Sequence, residues 1–116
     1  MTERLPDRVE TIDHVRAWDA AAERFETPCG AGHLAWRKWG SGPTVIFCHG
    51  GSGSWTHWCR TIPVVSKTHT VYAVDLPGLG DSAMPCDPSH PAGSAEALNQ
   101  GIRRLIPREE NPRIVA

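Results

Sequence analysis

Two runs of residues in this sequence have the types and spacing to do chemistry. They are His49-Gly50-Gly51-Ser52-Gly53-Ser54-Trp55 and Asp75-Leu76-Pro77-Gly78-Leu79-Gly80-Asp81-Ser82. Each follows directly on an apolar, β-favouring run, Thr44-Val45-Ile46-Phe47-Cys48 in the first case and Thr70-Val71-Tyr72-Ala73-Val74 in the second. A short, almost wholly apolar strand suits a sheet covered on both faces, and loops at the carboxyl ends of such strands are where α/β proteins put their chemistry. The glycines let the backbone take conformations closed to other residues. His49, His57 and Cys59 raise the question of a metal, but no second cluster completes four ligands at the usual spacings, so a metal site has no support.

The elements that must position these loops can be read from the patterning. Val9, Ile12, Val15, Trp18, Ala22 and Phe25 recur at three- and four-residue steps, which predicts one amphipathic helix ending before Pro28. Glycines then punctuate His33-Leu34-Ala35-Trp36-Arg37-Lys38-Trp39, predicting a strand with Leu34, Trp36 and Lys38 on one side. Residues Phe25 to Cys29 can supply its partner in an antiparallel hairpin at one edge of a sheet. Ser54 is placed to cap a helix carrying Trp55, Trp58, Cys59 and Ile62, which Pro63 should kink or break. A further helix is expected from an N-cap at Ser94 through Ile106, stopped by Pro107, and Arg113-Ile114-Val115-Ala116 reads as the start of a third buried strand. Strand, loop, helix, strand, loop, helix, strand is the order of a parallel sheet with crossover helices.

Composition bounds the possibilities. With 116 residues, 40% of them hydrophobic, the chain is one globular domain at most. A net charge of −1 with dispersed arginines offers no basic field for a nucleic acid, and no apolar run approaches a membrane span or a signal peptide. The expected location is the cytoplasm. Cys29, Cys48, Cys59 and Cys86 include no Cys-x-x-Cys pair and are expected to act as small buried hydrophobes.

Taken in order and at strand ends, the two motifs resemble the N-terminal portion of an α/β-hydrolase-fold enzyme. The resemblance covers roughly Phe25 to Ala116, which divides the chain into an N-terminal helical extension, residues 1–24, and the N-terminal part of an α/β-hydrolase domain, residues 25–116. It implies an incomplete α/β-hydrolase fold: a mostly parallel sheet with an antiparallel N-terminal hairpin and crossover helices. It also implies that the loop after the third strand gives one backbone N–H to an oxyanion hole. Small residues are needed there because a main-chain donor must approach developing negative charge without a side chain in between. By position that donor is Gly51, with Ser52 as the alternative. Trp55 is a candidate for the acyl pocket or for anchoring the first crossover helix, and Trp58 reads as core. His49, Gly50 and Gly53 shape the first loop, while Asp75, Gly78, Gly80 and Ser82 shape the second.

Neither Ser52 nor Ser82 has the Gly-x-Ser-x-Gly setting of the family's nucleophile. Nucleophile, acid and histidine all fall outside this sequence, whose final residues stand about where the nucleophile's strand should run. The expectation is a fragment of a serine-type hydrolase for an ester or similar carbonyl substrate, inactive alone and without a cofactor. One alternative is a non-catalytic interaction protein built on a truncated hydrolase domain, its open sheet edge pairing with another chain, self-association through that edge included. A second is a dinucleotide-binding protein, since Gly78-Leu79-Gly80-Asp81-Ser82-Ala83 fits Gly-x-Gly-x-x-Gly/Ala. Against that second reading, Pro85 and the prolines after it keep a helix from starting directly behind the glycines.

Overall fold

A computed structural model describes residues 8–30, 32–49, 53–76, 80–82 and 91–116. The elements follow in the order α1 (Arg8–Ala21), β1 (Glu23–Cys29), β2 (Gly32–Trp39), β3 (Thr44–Cys48), a turn of 3-10 helix (Trp55–Trp58), α2 (Ile62–Val65), β4 (Thr70–Val74), α3 (Pro91–Leu105), a second 3-10 turn (Arg108–Glu110) and β5 (Arg113–Val115). One five-stranded mixed sheet has the order β1-β2-β4-β3-β5. The first two strands form the antiparallel hairpin, with Phe25 opposite Trp36 and Cys29 opposite Gly32. β2 then runs antiparallel to β4, while β3 is parallel to both β4 and β5.

Side-chain alternation sorts the core into two layers. Ile46, Cys48, Tyr72, Val74, Leu34 and Trp36 point to one face and meet Ala97, Leu98, Ile102 and Ile106 of the α3 segment. Val45, Phe47, Val71, Ala73 and Trp39 point to the other and meet Val15, Trp18 and Ala22, together with Trp55, Trp58 and Ile62. Every residue of β3 is buried, as expected of a strand covered on both sides. Trp36 Nε1 donates to Thr27 Oγ1 at 2.8 Å, so this buried polar pair beneath α3 is satisfied within the layer. Gly101 lets α3 approach there: a Cβ at this position would lie 2.6 Å from Trp36 Cζ2 and 2.8 Å from Thr27 Oγ1.

Several elements depart from the sequence expectation. The helical stripe stops at Ala21, and Phe25 belongs to β1, where its ring lies 6.4 Å from that of Tyr72. An apolar residue at helical spacing can equally serve a strand face, and here hairpin pairing wins. Ile12 is exposed, so the helix packs Val15 and Trp18, followed by Ala22 just past its end, partly buried against the sheet. Pro28 is not a helix stop; it sits in the edge strand β1, where a missing N–H is tolerated. α3 starts at Pro91, not at an N-cap on Ser94, because proline's fixed φ suits the first helical position.

After the first glycine loop there is no single helix. Ser54 does cap, accepting from Thr56 N–H at 3.3 Å, but it caps a 3-10 turn, and Pro63 sits in the first turn of a separate short helix. The third strand, β5, pairs with β3 as a parallel neighbour but is exposed along its length. Among the described residues nothing covers its faces. Cys29 and Cys48 are buried and Cys59 partly so, and none of the three is in a disulfide.

Candidate active site

The sequence motifs leave the sheet side by side, because β3 and β4 are parallel neighbours with Cys48 level with Val74. Two hydrogen bonds clasp the loops together. Asp75, the residue after β4, accepts the backbone N–H of Trp55 on Oδ1 at 2.7 Å. In the other direction, His49 accepts the Leu76 N–H on Nε2 at 2.9 Å. That ring nitrogen is spent on the loop as an acceptor. His49 and Asp75 are both buried, at 4% and 1% exposure.

Ser82 completes the second loop by imitating a strand. Its Oγ donates to the Asp75 carbonyl and accepts the Ala35 N–H at 2.8 Å, while Asp75 N–H donates to the Ala35 carbonyl at 3.0 Å. A hydroxyl thus extends the β2–β4 ladder beyond Val74 and uses up the oxygen that a nucleophile would need free. Gly80 takes φ +53°, and a Cβ there would stand 2.5 Å from the Asp75 carboxylate. Only glycine allows both the left-handed turn and that approach.

Beneath the clasp lies a residue that the motifs did not single out. Arg37, on β2, is 3% exposed and spends all three nitrogens on acids: Nε to Asp19 at 2.8 Å, Nη1 to Asp75 at 3.2 Å and Nη2 to Asp81 at 2.7 Å. Its guanidinium also stands over the Trp55 ring, 5.0 Å from the centroid. Burial opposes the charge, but hydrogen bonds to Asp19 and Asp81 and the charges of Asp19 and Asp75 outweigh it, so Arg37 is held charged even more firmly than an ordinary arginine. The available signal was the alternation of β2, which puts Leu34, Trp36 and Lys38 on one face and leaves Arg37 facing the other core layer. Its acidic partners come from two segments far apart in sequence, Asp19 on α1 and Asp75 and Asp81 after β4, which no local pattern brings together.

The aromatic candidates separate. Trp55 is 4% exposed, packed against Trp39 with ring centroids 5.4 Å apart. Trp58 stacks on Phe47 at 4.7 Å, in keeping with a core position. His57 is exposed beside Trp58, and among the described residues no group of His, Cys, Asp or Glu could hold a metal ion. Gly50, Gly51, Ser52 and Gly78 lie outside the described residues, as does Cys86. A groove of about 670 Å³ lined by Ile102, Ile106, Pro107, Arg108 and Pro112 is no part of this site. It lies where the chain enters β5, at the opposite, amino end of the parallel strands.

A mixed sheet whose parallel strands deliver a histidine–glycine loop and an Asp-to-Ser turn to one carboxyl edge defines a protein of the hydrolase-like α/β class. The family model for the alpha/beta hydrolase fold matches residues 43–110, more than half of the chain, and the chain belongs to that family. It is 46% identical over 46 residues to the soluble epoxide hydrolase of Corynebacterium sp. (strain C12), a match covering 40% of this chain and 16% of the relative. Over 82 residues it is 40% identical to Esterase Rv0045c of Mycobacterium tuberculosis, covering 69% and 27%.

Among solved structures, haloalkane dehalogenase DbeA from Bradyrhizobium elkani USDA94 superposes with a TM-score of 0.65 at 27% identity, covering 72% of this chain and 30% of that one. The Cif epoxide hydrolase from Acinetobacter nosocomialis gives 0.67 at 19% identity, covering 93% and 37%, a likeness of fold alone. The chain therefore spans well under half the length of each of these relatives.

Proposed function

We propose that this chain is the N-terminal part of a serine-type α/β hydrolase acting on a small ester or similar carbonyl compound, and that it is inactive alone. The observation that carries the reading is the clasp: Asp75 to Trp55 and His49 to Leu76 fix both ends of the loop around Gly51, as a preorganised main-chain donor requires. In this reading Gly51 gives the oxyanion N–H, with Ser52 as the alternative. His49, Gly50, Gly53, Asp75, Gly78, Gly80 and Ser82 hold the loops. Trp55 serves by anchoring the loop exit, since its ring is committed to Trp39 and Arg37. In this reading the nucleophile, acid and catalytic histidine are not among the residues of this chain, and no cofactor takes part.

Residues 1–24 are read as a helical extension and 25–116 as the hydrolase portion. The ester reading is favoured by the esterase match, which runs through 82 residues, and epoxide opening is the second reading, from the 46-residue epoxide hydrolase match. No helix among the described residues is long and apolar enough to cross a membrane, and a cytoplasmic location is part of the proposal. Self-association is assigned to the outer edge of β5, where Ile114 and Val115 are exposed; a monomer on size-exclusion chromatography would remove that part.

The intact mass of the protein from its source is the first test. At 12.7 kDa, the mass of this sequence, the protein should neither hydrolyse p-nitrophenyl esters nor label with a fluorophosphonate. Turnover by the 116-residue chain would overturn the proposal. If the native protein is longer, it should label, and Gly51→Pro, which deletes the N–H, should lower ester turnover about 10²–10³-fold. Turnover of epoxides but not esters would select the second reading.

A further inference from the structure

The helix α1 lies outside the residues that match the family, yet it is wired to the candidate site. Asp19 stands in its last turn and takes Arg37 Nε at 2.8 Å. Arg37 holds Asp75, and Asp75 holds the N–H groups of Trp55 and of Asp81, the latter at 3.0 Å. Two further contacts lay the helix along the same path. Trp39 Nε1 donates to the Trp18 carbonyl at 2.8 Å, and His14 Nε2 lies 2.8 Å from the Cys59 carbonyl, just past the Trp55–Trp58 turn. The helix thus grips β2 on one side of the loop exit and the turn after it on the other.

The position of Asp19 is itself informative. A carboxylate in the last turn of a helix faces the negative end of the macrodipole, and no basic residue in that turn relieves it. Its favourable partners lie outside the helix: Arg37, and Arg24, which reaches the same oxygen from β1 at 2.6 Å. Arg24 is more than half exposed and weakly held by comparison, so the buried guanidinium is the partner that matters.

We infer that α1 is a built-in brace for the loop after β3: Asp19 is a positioning residue that fixes Arg37, and Arg37 in turn fixes the Asp75 carboxylate that orients Trp55. Without Asp19, Arg37 Nε is a buried donor without its acceptor, and the guanidinium must pivot to find another. Pivoting weakens its hold on Asp75, so the effect emerges at two amides that Asp19 does not touch. The consequence for catalysis rests on the oxyanion reading above, whereas the coupling itself does not.

Amide hydrogen exchange by NMR on the 116-residue chain tests the brace without any assay of activity. In Asp19→Ala, which removes the acceptor altogether, the Trp55 and Asp81 amides should exchange about tenfold faster, while the β3 and β4 core amides keep their rates. Asp19→Glu, which retains the charge, should restore protection at both. Arg24→Ala, which strips Asp19 of its exposed partner only, should leave both as they are. Unchanged or slower exchange at Trp55 and Asp81 in Asp19→Ala would overturn the brace, because relief of the dipole would then be the whole effect. Faster exchange spread evenly over β3 and β4 would overturn it as well, reducing Asp19 to a determinant of overall stability. Either result would leave the oxyanion reading standing, and failure of that reading would leave the brace.

Discussion

The backbone N–H of Trp55 donates to Asp75 Oδ1 at 2.7 Å, so the exit of one glycine-rich loop is held by the residue that opens the other. Asp75 also faces Arg37, and both are buried. Asp75→Ala would leave a buried guanidinium short of a partner and two amides without acceptors. The expected loss is about 3–5 kcal/mol, read from urea unfolding. Asp75→Asn keeps an oxygen for Trp55 and should cost less. A loss no greater than that of a surface substitution would show that the clasp contributes nothing to the fold.

Gly80 should be equally intolerant, for a reason that can be separated from the first. Alanine there carries about 1–2 kcal/mol for the left-handed backbone and also strikes the Asp75 carboxylate. In an Asp75→Ala background the second part disappears. The double-mutant cycle should therefore show Gly80→Ala costing less when Asp75 is absent, and strict additivity would mean the contact is not felt.

At Gly101 two effects oppose one another. Alanine favours a helix interior over glycine by about 1 kcal/mol, but its methyl group would press on Trp36 and Thr27, which are 1% exposed and hydrogen-bonded to each other. Overpacking against a rigid ring costs about 1–3 kcal/mol. Gly101→Ala is expected to be destabilising overall, with a lower urea midpoint. A raised midpoint would mean that the helix preference of alanine outweighs the contact with Trp36 and Thr27.

Burial pushes the Cys48 thiol above its ordinary value of 9.0. The unfolded chain then ionises this thiol first, and in that range the folded state binds the extra proton. The contribution of Cys48 is complete below the unfolded value and is lost as pH rises from there towards the folded value. Stability should fall between neutral and strongly alkaline pH by more in the parent than in Cys48→Ala, followed by urea unfolding. Under native conditions at neutral pH, Cys48 should alkylate more slowly than the less buried Cys59. Equal alkylation rates would contradict the burial.

What the sequence determined by itself was local. Period-two alternation and a wholly apolar run placed β2, β3 and β4, and the small residues after β3 and β4 marked both loops, because these signals depend on neighbours a few positions apart. The resemblance built on those loops is matched by the family assignment. The tertiary structure decided what depends on partners distant in the chain. Phe25 went to a strand because β1 pairs with β2, and β5 is exposed because nothing described packs on it. The roles of Arg37 and Asp19 were invisible for the same reason. A buried guanidinium is stable only where carboxylates converge on it, and here they arrive from α1 and from both ends of the turn after β4, segments that only folding brings within 3.2 Å.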